Sequence, residues 1–128
     1  MHSAARQAVA AFLISAGFLY AQQPDSFQAN LRTGVQLDLD GQYADARRHF
    51  TKAIESASTA QEKARALRSM AISWAFENNC KEAAQYEGQV YESALAAQDF
   101  YAAGEAADEL ARICIEAGGL DDAYKWYQ

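Results

Sequence analysis

Residues 41–54 read GQYADARRHFTKAI. After Gly41 the apolar residues Tyr43, Ala46, Phe50, Ala53 and Ile54 recur at the spacing of one helical face. A helix that merely seeks a core tolerates almost any apolar residue at such positions. Here small and large residues come in a set order, which predicts a helix pressed against particular neighbours. Small residues sit where another helix crosses, and large ones fill the space on either side. On this reading Ala46 marks the crossing of the preceding helix, Tyr43 and Phe50 flank it, and Ala53 admits the helix that follows.

The order returns along the chain. GGLDDAYKWY supplies Gly118, Leu120, Ala123 and Tyr127 at the spacing of Gly41, Tyr43, Ala46 and Phe50. Between them NCKEAAQYEGQVYESAL forms a degenerate copy, with Asn79 in the glycine place, Ala84 in the alanine place, and Lys81 and Gly88 in the two larger places. The three alanines lie 38 and 39 residues apart. Each copy follows another amphipathic stretch. Residues 26–39 carry Phe27, Leu31, Val35 and Leu39. Residues 60–77 carry Ala64, Leu67, Ala71, Trp74 and Ala75. Residues 100–117 carry Ala103, Ala107, Leu110, Cys114 and Ala117. Thr59 with Glu62 reads as a capping box, Asp99 as an N-cap, and Gly41 and Gly118 as turn residues after a helix.

Composition agrees with an all-helical chain. At 128 residues and 51% apolar content the chain has length and material for one core, and its single proline is Pro24. Strand-forming β-branched runs and tight hairpin turns are missing. The formal net charge of −6 argues against a nucleic-acid-binding surface, which needs a basic face. Residues 76–128 concentrate the acidity, with eleven carboxylates against Lys81, Arg112 and Lys125. A solvated face explains such a run, and a surface for a basic partner is the sharper alternative.

The first 21 residues differ from the rest. Arg6 precedes an almost wholly apolar run from Ala8 to Ala21, and polar QQPDS follows. The run is shorter than the roughly 20 residues that a membrane span needs. Charged start, short apolar run and polar break together predict a secretory signal peptide cleaved after Ala21, hence export to a periplasm or medium. An N-terminal packing helix or an uncleaved anchor is the alternative. The mature domain is then 22–128, with no stable membrane span.

The paired-helix pattern resembles the tetratricopeptide repeat family over roughly residues 26–128. The first copy is the strongest, with Gly34, Gly41, Tyr43, Ala46, Phe50, Ala53 and Ile54 on family positions. The longer period is similar to that of longer-helix relatives in bacterial regulators and kinesin light chains. The resemblance implies a right-handed α-solenoid of antiparallel helix pairs, about two and a half to three repeats. The third copy stops at Gln128 with Tyr124 and Tyr127 little covered, which leads us to expect a longer protein or a homodimer through the C-terminal helix.

Such proteins generally hold a peptide or protein segment on the concave face formed by the first helix of each pair. The positions that the resemblance places there are Gln28, Leu31, Val35 and Asp38, then Ser69, Ser73 and Phe76, then Glu105, Asp108, Arg112 and Ile115. Some relatives grip a terminal carboxylate with Lys and Asn. This chain has Leu31, Val35, Ser69, Ser73, Asp108 and Arg112 at the corresponding places, so that clamp is absent. A mixed apolar and acidic face suits a segment with basic and apolar residues.

Nothing in the sequence assembles a reactive centre. His49 is the one histidine after Ala21, and no zinc, nucleophile-elbow or phosphate-loop motif occurs. We expect no enzyme, cofactor or metal. Cys80 and Cys114 are too few and too far apart in sequence for a metal motif. They read as two small buried thiols, or as a disulfide if the chain is exported, since the expected antiparallel helices bring them near each other. The expected function is a non-catalytic interaction module or scaffold. The alternative is the recognition arm of a larger exported enzyme or sensor whose active domain lies beyond residue 128.

Overall fold

The computed structural model describes residues 25–116 together with Asp121, Tyr124, Lys125 and Gln128. The expected signal segment 1–21 and the third-copy residues Gly118, Leu120, Ala123 and Tyr127 lie outside the described residues. Five helices run in order: α1 (Phe27–Leu39), α2 (Tyr43–Ser56), α3 (Ala60–Phe76), α4 (Cys80–Ala96) and α5 (Phe100–Glu116). The described residues contain no strand. Each helix packs on the next, and α1 also touches α3. The architecture is all-α and compatible with a helical repeat.

Local chemistry sets the boundaries. Ser26, Thr59, Asn79 and Asp99 each accept a backbone N–H three residues on, at 3.0–3.1 Å, satisfying donors that the first turn leaves open. The Glu62 carboxylate returns to Ser58, one residue before the Thr59 cap, taking its N–H at 2.8 Å and its hydroxyl at 2.9 Å. These bonds hold the Glu62 carboxyl below its usual range. Three helix ends close alike. Gly41, Asn78 and Gln98 have φ of 76°, 56° and 57°, and their N–H groups reach back to Asp38, Ala75 and Leu95. Only Gly41 adopts this left-handed conformation without a Cβ penalty.

The core corrects two expected registers. In α1 the buried stripe is Phe27, Asn30, Leu31, Gly34 and Asp38, whereas Val35 and Leu39 are 44% and 73% exposed. Steps of four residues advance the helix by about 40° beyond a full turn, so an unbroken run of such steps rotates off the core. In α4 the fully buried alanine is Ala83, and Ala84 is only half-buried. The second copy therefore begins one residue earlier than its sequence suggests. Cys80, Ala83 and Glu87, in place of Lys81, Ala84 and Gly88, match Tyr43, Ala46 and Phe50, each 37 residues on.

That register exposes an exchange between the two hairpins. Leu31 and Phe50 share an apolar cluster between α1 and α2. The residues 37 positions on are Arg68 and Glu87, which form an ion pair at 3.0 Å with the Glu87 side chain fully buried. Next to Leu31, Asn30 receives a hydrogen bond from His49 Nδ1 at 2.9 Å. Its counterparts are Leu67 and Tyr86, which share an apolar cluster. Polar and apolar pairs have thus traded levels. His49 is half-buried and holds the buried Asn30.

Two contacts lock the packing. A Cβ on Gly34 would lie 2.5 Å from Phe50 Cε1, so α1 and α2 meet at a distance that only glycine allows. Cys80, first residue of α4, and Cys114, in the last turn of α5, are disulfide-bonded with Cα atoms 5.0 Å apart. The reading as two free buried thiols is corrected. The antiparallel run of α4 and α5 brings both ends into bonding range.

Candidate functional site

Helices α1, α3 and α5 supply two clefts that share Ile72. Between α1 and α3 lies an apolar cleft of about 170 Å³, walled by Val35, Leu39, Ser69, Ile72 and Phe76, with Asp38 and Phe50 beneath. Val35, Ile72 and Phe76 expose 44%, 38% and 52% of their surface to it and to solvent. The Tyr43 ring stacks at a tilt against Phe76, 5.6 Å between centroids, which steadies the outer wall.

A polar network holds the floor of this cleft. Ser73 Oγ donates to Asp38 Oδ1 at 2.8 Å. Arg47 crosses from α2 with its guanidinium 3.4 Å from Ser73 Oγ, 2.7 Å from Glu77 Oε2, and 3.7 Å from the centre of the Trp74 ring. Burial raises the Asp38 carboxyl above its usual range and Glu77 adds to this, against the Ser73 hydrogen bond and the Arg47 charge. The network spans α1, α2 and α3, so it fixes the relative placement of the cleft walls.

The second cleft, about 400 Å³, lies between α3 and α5 and is lined by Arg68, Ile72, Glu105, Asp108 and Glu109. Arg68 is already paired with Glu87 behind it, and Glu109 bonds Arg112 Nε at 3.1 Å. Glu105 and Asp108 make no ion pair among the described residues. They leave the cleft with two uncompensated, exposed carboxylates. A shallower groove on the other side, between α3 and α4, is lined chiefly by polar residues such as Gln85, Gln89 and Glu92.

The eleven expected groove residues divide accordingly. Val35, Asp38, Ser69 and Phe76 meet in the apolar cleft, and Glu105 and Asp108 in the acidic one. Gln28, Arg112 and Ile115 are exposed but line neither cleft. Leu31 and Ser73 are corrected: both are buried, Leu31 among Phe27, Phe50 and Met70, and Ser73 within the Asp38–Arg47 network. Their positions point inward because the α1 and α3 faces are rotated from the strict four-residue rows. Leu39 and Ile72 were missed by sequence reasoning. Leu39 falls on the apolar α1 stripe that the spacing predicts, and Ile72 carries no repeat signal.

Among the described residues no three His, Cys, Asp or Glu side chains are grouped to hold a metal ion. No helix among them is long and apolar enough to cross a membrane. Comparison of the chain with protein-family models, with curated proteins and with solved structures gives no match.

Proposed function

We propose that this chain is a non-catalytic protein-interaction module of tetratricopeptide-like type, which takes a peptide or protein segment on the face shared by α1, α3 and α5. The observation that carries the reading is the pair of clefts joined at Ile72: an apolar recess and a charged one side by side, on three helices braced from behind. Recessed apolar contacts flanked by charge suit a bound chain, with the recess providing affinity and the charge providing orientation. The Cys80–Cys114 bond supports the accompanying proposal that the domain works in an oxidising compartment after export.

Selection of a displayed random-peptide library on the full chain tests the binding reading. Peptides are expected to enrich, and to lose binding to an Ile72→Arg variant that keeps its helical circular dichroism. Failure to enrich, or enriched peptides indifferent to Ile72→Arg, would refute the assignment of this face. Export is tested by fusing residues 1–21 to a reporter enzyme active only outside the cytosol, and an inactive fusion would refute it.

A further inference from the structure

The two clefts differ in what they can hold, and this constrains the occupant. We infer that the bound segment is an extended chain carrying one large apolar side chain and, about three residues away along the chain, a lysine or arginine. The inference rests on the binding reading above and gives it a chemistry.

The apolar cleft sets the first element. Its roughly 170 Å³ is close to the volume of about 150 Å³ that accommodates a benzene ring in a protein cavity, so it takes one aromatic or large aliphatic side chain and not two. The exposed parts of Val35, Ile72 and Phe76 are what such a side chain would cover.

Charge sets the second element. In the α3–α5 cleft every cation is already committed: Arg68 to the buried Glu87, and the neighbouring Arg112 to Glu109. Glu105 and Asp108 remain open on α5, one turn apart. A ligand carboxylate or phosphate would meet net repulsion there, and an ammonium or guanidinium would meet two acceptors. The mature chain's acidity, concentrated after residue 76, adds a longer-range field of the same sign.

Spacing follows from the shared helix. The clefts lie on opposite flanks of α3, so their centres are separated by about one interhelical distance, roughly 8–10 Å. In a polyproline-II segment the rise is about 3.1 Å with three residues per turn, so residues three apart face the same way about 9 Å from each other. That conformation sets one side chain in each cleft.

Fluorescein-labelled, amidated peptides with Gly-Ser flanks test this directly by fluorescence anisotropy. The probe contains Phe-Ala-Ala-Arg; its comparators contain Phe-Ala-Ala-Glu and Ser-Ala-Ala-Arg. The probe is expected to bind about tenfold or more tightly than either comparator, with affinity falling as salt rises. The double variant Glu105→Lys, Asp108→Lys is expected to prefer the Glu peptide, a reversal that mere misfolding cannot produce. Equal binding of the Arg and Glu peptides, or an unchanged preference in the reversed variant, overturns the inference. If no defined peptide binds while the library yields Ile72-dependent ligands, the inference falls and the binding reading stands. If the library yields none, both fall.

Discussion

The contact between Gly34 and Phe50 gives the most direct test of the packing. Replacing Gly34 by Ala sets two effects against each other. Alanine favours a helix interior over glycine by about 1 kcal/mol. The added Cβ, however, would lie 2.5 and 2.7 Å from two ring carbons of Phe50, about 1 Å inside contact distance. The Phe50 side chain is fully buried, so the ring cannot swing into solvent to relieve the clash. Overpacking of this kind costs about 1–3 kcal/mol and exceeds the propensity gain over most of that range. We expect Gly34→Ala to lose about 1 kcal/mol net, lowering Tm by about 4 °C for a domain of this size. Urea titration followed by far-UV circular dichroism measures the loss. In a Phe50→Leu background the same change should cost less, with a coupling of about 1 kcal/mol. A Gly34→Ala protein that is more stable by about 1 kcal/mol would show that propensity alone governs the position and that the helices do not meet there.

Four further expectations follow from the structure. Leu at Ala46 or Ala83 should destabilise by about 1–3 kcal/mol, whereas Leu at the half-buried Ala84 should be nearly neutral; denaturation midpoints that rank Ala84 with the other two would restore the original register. Reducing Cys80–Cys114, or Cys80→Ser, opens a loop of 34-residue separation and should cost about 2–4 kcal/mol, read as a lower urea midpoint with reductant; an unchanged midpoint would mean the bond adds nothing to the fold. Burial raises the Glu87 carboxyl above its usual range, Arg68 opposes the shift, and Glu109 adds to it. Between the ordinary carboxyl pKa and the raised one, the native chain holds a proton that the unfolded chain has lost. Stability should therefore fall as pH rises through that window, and Glu87→Gln should flatten the slope in pH-dependent melts; a slope unchanged in that variant would place its origin elsewhere. Gln98→Gly should relieve the left-handed residue at φ 57° and raise the melting temperature slightly, while a lower one would argue that the Gln98 side chain is needed in that turn.

Much of the fold was readable from periodicity and punctuation. All five helices fall on stretches that the spacing marked, and Thr59 and Asp99 cap where their chemistry suggested. The second-copy register was not readable, for a physical reason. Glu87 occupies the place of a core aromatic, and a charged residue looks like a surface residue until its partner Arg68, on another helix, is known. Without that partner, Gly88 and Ala84 were as good a match as Glu87 and Ala83. The site was half legible. Residues that line a cleft, such as Val35 and Phe76, carry the same apolar signal as residues that fill a core, such as Leu31. Only the rotation of α1 separates them. Pairing of the cysteines depended on the ends of α4 and α5 lying within bonding distance, a three-dimensional fact that residue spacing leaves open.

The exchanged pairs of the two hairpins bear on how faithfully this chain assembles. Hairpins built to one plan invite a helix to dock on the wrong mate, within a chain or between chains, and so to swap. If α2 took the place of α4 against α3, Phe50 would face Arg68, and His49 would face Leu67. The reciprocal mistake would set Glu87 against Leu31 and leave Asn30 opposite Tyr86. The reciprocal error strands the buried Glu87 carboxylate and the buried Asn30 amide without their mates, at a cost of about 3–5 kcal/mol where a charge is left alone. With the correct mates, Glu87 Oε1 meets Arg68 Nε at 3.0 Å and Asn30 Oδ1 meets His49 Nδ1 at 2.9 Å. A pair of substitutions that would otherwise look like decay of the repeat thus acts as a lock and its counterpart, giving two hairpins of one plan distinct addresses.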